Sequence, residues 1–526
     1  MAQRSRLVCV GLDGATWRVL RPAIDAGELP FFKMLCERGS WGVLLSTIPS
    51  ITSPALPSLY TGKNPGKTGV FDFLGPDGRL LSVLDIRDET FWEVLDRAGR
   101  RSCIVNLPMT YPAQRINGIM VAGARTAASR GDLTYPKELE HRLGDFQCEA
   151  EQKQVHRLLQ QPDCDRKEVY ELCLAQHKRR YGIFKGLAAE EGFDLILYWE
   201  GTTDGIQHYC WNRTDLLVQF YQHMESMLED AIASLPRSNL LIVSDHGGGP
   251  AHSRRFHVNS WLRETGLLFE RPNRMVAALA KHAGRWAKKW LPRSLRLRLA
   301  QRVSGATGPM PRRALSDHNR RLPWIDWSRT MACLDQYWGI GIVADSCQDN
   351  YERVRSQIIG GLKALRDDDG QRVIQSVWRR DELYTGEYLH EIPDIVFLTE
   401  PQYRADAQLS RDVFSPRADQ PVWQGEHDCA TEGIFIAYGP DISRGHEVKD
   451  ASILDVAPTI LHLLDSPIPE DMDGRVLTEA LREHAEPGRR APRSCPPRAS
   501  VERHGASYSK DDEAAVRERL KHLGYL

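Results

Sequence analysis

The sequence predicts an α/β fold, a parallel sheet sandwiched by helices, with cap regions inserted into it. Short apolar runs end abruptly at aspartate or glycine, and segments of helical periodicity lie between them. Strands alternating with helices fold as a parallel sheet covered on both faces. The pattern breaks after about residue 265 and resumes later, which predicts the insertions.

The first strand is Leu7 to Leu12, ending in Asp13-Gly14. Thr90 to Ala98 has helical spacing. The run DLILYWEGTT leads to Asp204, Tyr221 to Leu235 reads as a helix, and LLIVSDHG leads to Asp245. The run GIFIAYG before Gly439 reads as one more strand of the same kind, and a helix from about Ile453 to Leu464 closes the core. Between Arg271 and Arg302 stand ten Lys/Arg and no Asp or Glu, with Trp286 and Trp290 interleaved, a basic helical segment. Residues 331–400 read as a small α/β insert, with a helix from about Tyr351 to Leu365 and strands around Val373 and Ile395. Residues 486–506, rich in Pro, Arg and Ser, read as a flexible linker. Ser509 to Asp512 carry an N-cap signature for a terminal helix. The expected division is therefore 1–265 and 401–485 for the core, 266–330 for the basic insert or cap, 331–400 for the small insert, and 486–526 for linker and terminal helix.

With 526 residues the chain has room for two or three domains. Lys+Arg number 69 and Asp+Glu 70, so no global field points to nucleic acid as a partner. No apolar run reaches the ~18 residues of a membrane span. The apolar run near the N-terminus stops at Asp13, too short for a signal peptide. The 11 cysteines are odd in number and form no CxxC pair. Reduced thiols in a cytoplasmic protein are expected. The basic segment reads as an amphipathic pair packed on the core, as a cap drawing in anions, or, least well, as a membrane-surface contact.

In open α/β sheets ligands collect at the carboxyl ends of strands. Asp13, Asp204 and Asp245 each fall at or just beyond such an end. Asp204 and His208 are four apart, on one face if their segment begins a helix. His246 follows Asp245, the late GEHD supplies His427, and SITSP presents Thr52. Taken singly, SDHG is a polar turn, DxxxH an exposed helix face and Thr52 a helix N-cap. Together they offer three carboxylates, three imidazoles and a hydroxyl, a set that suits two divalent cations, zinc or manganese. Such a pair activates an attacking hydroxyl and steadies a leaving oxygen in phosphoryl transfer. Lys63 and Asn106 are candidates for contacting an anionic phosphate ester, as is His257. For each, a solvated loop, a turn or a packing role is the competing reading.

The segments GLDGATW, TGKNPGKTGVFDF, NLPMTYP, YWEGTTDGIQH, SDHGGGP, ILDVAPT and PEDMDGRVL carry a resemblance to the alkaline phosphatase superfamily. Within it the chain resembles the type I phosphodiesterase/nucleotide pyrophosphatase branch and its bacterial and archaeal phosphohydrolases and phosphomutases. The resemblance implies an alkaline-phosphatase-like fold and a phosphoric ester hydrolase. One metal would be held by Asp204, His208 and His427, the other by Asp13, Asp245, His246 and the Thr52 oxygen. Thr52 would become a covalent phospho-threonine. A phosphomutase on the same site is the alternative. A sulfatase is disfavoured, since Thr52-Ser-Pro-Ala lacks the Cys and Arg of its motif. One departure concerns nucleotides: Phe73 stands where nucleotide pyrophosphatases place an asparagine.

Overall fold

The computed structural model describes residues 6–75, 77–126, 131–161, 163–190, 192–235, 237–271, 324–336, 338–343, 350–417, 424–427, 430–498, 503, 505 and 507–522. Most of the expected basic insert, with Trp286 and Trp290, lies outside these residues, as do the last four positions. The chain divides into two compact units. The first comprises 1–75, 79–251 and 421–526, and the second 76–78 and 252–420.

The first unit is built on nine strands, counted among the described residues. They are β1 (Leu7–Leu12), β2 (Ser40–Leu45), β3 (Ser102–Leu107), β4 (Gly118–Ala122), β5 (Thr134–Tyr135), β6 (Leu195–Glu200), β7 (Asn239–Val243), β8 (Glu432–Tyr438) and β9 (His446–Ser452). Their spatial order is β9-β2-β8-β7-β1-β6-β3-β4-β5. The centre is parallel: β1 pairs with β6 and β7, and β3 with β4 and β6. β1, β3, β6 and β7 are buried at every residue, which is why they read as near-continuous apolar runs. The two-residue pleat sends Leu7 and Cys9 into one core and Val8, Val10 and Leu12 into the other, so both faces are covered. Burying each such side chain stabilises the fold by about 1.5–3 kcal/mol.

One expectation is corrected here. The GIFIAYG strand, β8, is not another parallel strand, for it runs antiparallel to both β7 and β2. Phe435 pairs with Val243 and Tyr438 with Leu240. The start of β8 therefore lies at the carboxyl edge of β7, and the loop before it, carrying His427, is delivered to that edge. Apolar periodicity cannot reveal strand direction. Gly439 falls at the opposite edge.

Five helices matter below: α1 (Thr52–Thr61), α2 (Glu149–Leu159), α3 (Arg166–Ala188), α4 (Thr202–Cys210) and α5 (Lys510–His522). The segment expected as a flexible linker is structured over its described part. Glu486–Arg489 form a helical turn, and Ser494–Cys495 pair in parallel with Ile468–Pro469. Backbone pairing and the Arg490–Glu486 ion pair hold it despite its composition. Ser509 Oγ accepts from Asp512 N at 3.1 Å, capping α5. Phe73 is a core residue, 1% exposed.

The second unit has its own apolar core, formed by residues such as Trp261, Leu262, Ile340, Ile358 and Phe397. Its antiparallel sheet runs Ala332–Gln336, Gly339–Ile342, Ile395–Thr399, Ile374–Arg379, with the helix Tyr351–Ala364 in the same unit. Arg254–His257 lies between Tyr403–Asp406 and Phe414–Pro416.

Candidate metal centre

Four chain segments meet at the carboxyl edge of β1, β6 and β7. Asp13 follows β1, and its neighbour Gly14 takes φ +65°, a turn that L side chains adopt poorly. A Cβ at Gly14 would stand 3.2 Å from Asp204 Oδ1 and 3.3 Å from His246 Cε1. Glycine here lets β1 approach both later segments. Gly14 N donates to Asp245 Oδ1 at 3.1 Å. Gly11 answers a second steric demand, because any Cβ there would overlap the Trp199 ring. That ring donates its Nε1–H to Asp13 Oδ2 at 3.0 Å.

Asp204 and His208 project from the first two turns of α4, with Oδ1 and Nε2 3.3 Å apart. The helix start is fixed from the strand before it. Glu200 Oε1 accepts from Thr202 N at 2.8 Å, and Thr203 Oγ1 donates to Asp13 O at 2.7 Å. Glu200 is in turn held by His177 Nδ1 at 2.6 Å and the Tyr198 hydroxyl at 2.9 Å.

Asp204, His208 and His427 form one buried set, and Asp13, Asp245 and His246 a second. Within each set the ligand-type atoms lie within 4.8 Å of one another. The sets adjoin: the His427 ring centroid is 5.0 Å from that of His208 and 4.2 Å from that of His246. All three imidazoles are oriented alike. Nδ1 donates to a backbone carbonyl, of Gly425 for His208 at 2.9 Å, of Gly247 for His246 at 2.8 Å and of Ser50 for His427 at 3.2 Å. That bond places a proton on Nδ1 and makes Nε2 the atom through which each ring could take a cation.

Thr52 is 2% exposed, and its Oγ1 lies 3.2 Å from His246 Nε2. It is the first helical residue of α1, not the N-cap. Ile51 holds that position and offers no side-chain cap. The N-cap reading of Thr52 is thereby replaced, and its hydroxyl is turned to His246.

The electrostatics are strained toward cations. Burial, then the charge of Asp245, push the Asp13 carboxyl well above the usual range against the pull of Arg125. Burial also opposes the charge on Asp204, but His208 and Arg125 outweigh it and hold that carboxyl well below its ordinary value. His208 is raised, the Asp204 charge overcoming burial. Burial and the neighbouring His246 hold His427 well below its ordinary value, hence neutral. Asp13 Oδ1 and Asp245 Oδ2 are buried and accept no hydrogen bond among the described residues. Orphaned buried carboxylate oxygens are costly without a cation. The donor set, carboxylate oxygens with imidazole nitrogens, fits zinc or manganese.

Arg125 is the participant that sequence reading missed. Its Nη1 donates to Asp204 Oδ2 at 2.8 Å and lies 3.6 Å from Asp13 Oδ2, and its Nη2 donates to Gly201 O. Its place three residues past a strand end was the available signal. The residues singled out for substrate contact are placed differently. Lys63 Nζ is engaged by Asp88 Oδ1 at 2.6 Å and by Asp471, at the far end of α1 from Thr52. Asn106 is at φ +65°, where its amide donates to Trp199 O at 2.7 Å and accepts from Ala124 N at 2.9 Å. His257 belongs to the second unit, where its Nε2 lies 2.8 Å from Ser415 Oγ.

The family model for type I phosphodiesterase / nucleotide pyrophosphatase matches residues 7–429. Human ectonucleotide pyrophosphatase / phosphodiesterase 5 superposes with a TM-score of 0.52 at 13% identity, covering 91% of this chain and 100% of that one. Phosphonoacetate hydrolase from Sinorhizobium meliloti 1021, in complex with phosphonoformate, gives 0.53 at 16% identity, covering 88% and 96%. At these identities the likeness is one of fold. No curated protein sequence matches.

Proposed function

Because this chain belongs to the type I phosphodiesterase / nucleotide pyrophosphatase family, phosphoric ester hydrolases of the alkaline phosphatase superfamily, we propose that it cleaves an anionic phosphate ester by metal-dependent attack of Thr52. The observation that carries this is one arrangement. A buried threonine hydroxyl at a helix start stands beside two buried Asp/His sets, and in the second set Asp13 Oδ1 and Asp245 Oδ2 accept no hydrogen bond among the described residues.

Asp204, His208 and His427 would hold one divalent cation, and Asp13, Asp245 and His246 the other, with the Thr52 oxygen beside it. The pair, of the zinc or manganese kind, supplies the positive charge that a hydroxyl nucleophile and a departing oxygen require. Thr52 Oγ attacks phosphorus. Its bond to phosphorus forms as the ester P–O bond breaks; the Thr52 hydroxyl gives up its proton, and the alcohol leaves with the electron pair and takes up one proton in exchange. Water then attacks phosphorus, returns the threonine hydroxyl and releases phosphate or a monoester. The carbonyl-anchored imidazoles keep their Nε2 atoms aimed inward throughout. The cysteines among the described residues are all free thiols, which supports a reducing compartment such as the cytoplasm. No helix among those residues is long and apolar enough to cross a membrane.

The test is to trap the intermediate. Protein given a ³²P-labelled aryl phosphate ester and quenched in acid should carry acid-stable label on the peptide containing Thr52. The Thr52→Ala variant should carry none. Wild-type turnover by metal-loaded Thr52→Ala would overturn the reading.

A further inference from the structure

Behind α4 lies a cavity of about 520 Å³, walled by α2, α3, α4 and α5. It is of the size that holds a small organic ligand. Val155, Leu159, Cys173, Tyr209 and Ala515 give it an apolar body. Its charge is lopsided: Arg125, Lys153, Arg157, Arg180 and Arg519 line it, against the carboxylates of Glu149 and Glu518.

Two of the guanidiniums converge on one residue. Arg180 Nη2 donates to Gln147 O at 3.2 Å, and Arg519 Nη1 approaches Gln147 Oε1 at 3.3 Å. Arg180 is 4% exposed, and its partners among the described residues are carbonyls, of Phe146, Gln147 and the Gln176 amide. No carboxylate is hydrogen-bonded to this buried guanidinium among the described residues, which favours an anion beside it. Burial, with Arg180 adding to it, draws Arg519 below its ordinary value despite the nearby Glu149.

The third guanidinium connects this cavity to the metal centre. Arg125 lines the cavity and also donates to Asp204 Oδ2 at 2.8 Å. Its side chain lies on Gly201 and Gly205: a Cβ at Gly201 would meet Arg125 Nε at 3.3 Å, and one at Gly205 would meet Nη2 at 3.5 Å. The glycines at 201 and 205 therefore leave room for the arginine to pass along the start of α4.

We propose that this cavity binds a small amphipathic anion, an acidic head on an apolar body, with the head among Arg180, Arg519 and Arg125. Binding is coupled to the cation site at Asp204. An anion in the cavity competes with Asp204 for Arg125, so it frees that carboxylate and tightens the cation. By linkage the cation tightens the anion equally. The coupling rests on the proposed metal site, whereas anion binding does not.

The two are tested separately on the full chain. Octane-1-sulfonate below its micellar concentration is titrated into metal-free protein by calorimetry, beside octan-1-ol and methanesulfonate. One site per chain is expected, at least about tenfold tighter for the sulfonate than for either control. Ala515→Trp, which fills the cavity and leaves the arginines, should abolish it. Arg519→Gln should weaken it about tenfold. Equal affinity for octanol, or binding untouched by Ala515→Trp, overturns the cavity. In the second arm, zinc affinity is read by competition with a chromophoric chelator. Saturating octanesulfonate should raise it severalfold in the wild type. In Arg125→Gln it should be high already and indifferent to the sulfonate. An unchanged wild-type zinc affinity overturns the coupling.

Discussion

The two ends of α1 both gather buried charge, and they do so in opposite ways. Beyond its C-terminus Lys63 meets Asp88 and Asp471, Lys67 meets Asp473 at 2.5 Å, and Asn64 donates both its backbone and amide N–H to Asp473 Oδ2. Each carboxylate there touches an ammonium. At the N-terminus, beside Thr52, two carboxylates, Asp13 and Asp204, share the guanidinium of Arg125. Asp13 Oδ1 and Asp245 Oδ2 are left without hydrogen bonds, and His427 is held neutral. The first cluster closes on itself and ties loops together. The second, on the function proposed above, is completed by cations from outside. Charge balance, rather than the number of charged residues, separates the structural end from the chemical one.

The largest break in this comparison should come from Thr52→Ala. Turnover should fall by about three orders of magnitude or more, as for other lost covalent nucleophiles, while bound metal is retained. Steady-state kinetics beside elemental analysis would show it. Loss of metal together with turnover would mean that Thr52 serves the site chiefly as a ligand.

At the other end Lys63→Met should do the reverse. The Lys63 side chain is 5% exposed, and its partners Asp88 and Asp471 are 21% and 35% exposed, so they can rehydrate. A loss of about 2–3 kcal/mol of stability is expected, below that of a fully buried pair, with kcat unchanged. Burial opposes the Lys63 charge, but Asp471 and Asp88 outweigh it and raise its pKa. The contribution is therefore complete below the unfolded lysine value of about 10.4 and lost as pH rises through the higher folded one. Urea denaturation from pH 6 to 9 should show a constant gap between variant and wild type. A fall in kcat would place Lys63 in the chemistry.

Much of this was legible in the sequence, and the remainder was hidden for physical reasons. Asp13, Asp204, His208, Asp245 and His246 lie close to strand ends, and strand ends show as apolar runs meeting polar residues. The structure brings all five together with Thr52 and His427. Strand direction was not legible: β8 has the same apolar run whether parallel or not, so the delivery of His427 by an antiparallel strand could not be read. Arg125 was missed because a lone arginine after a strand looks like any surface arginine. Lys63 looked like a phosphate ligand because its partners Asp88 and Asp471 are 25 and 408 residues away in sequence. Composition predicts a flexible linker over 486–506, but it does not report a two-residue strand pairing such as that of Ser494–Cys495.

Glu200 sharpens the comparison on the site's own side. Burial disfavours its charge, but His177 and the Thr202 N–H outweigh it and lower its pKa to about 2. A depressed folded value means stability present above the unfolded value of 4.5 and lost as pH falls toward 2. Glu200→Gln should cost on the order of 2 kcal/mol at pH 7, shrinking across that window, as measured by denaturation at a series of pH values. An equal loss at pH 7 and pH 2.5 would contradict the ion-pair account.

The smallest effect concerns Asn64, whose Oδ1 accepts from Gly66 N at 2.9 Å and caps the turn Pro65–Thr68. Asn64→Ala should lower stability by about 1 kcal/mol and leave turnover alone. A larger effect on rate than on stability would erase the distinction between the two ends of α1.

The central claim is that the cluster beside Thr52 is completed by two divalent cations. Elemental analysis of the purified, active full chain tests it most directly. Two zinc or manganese ions per chain are predicted, with one lost when Asp204→Asn and His427→Ala are combined. Fully active protein carrying no divalent metal would contradict the account.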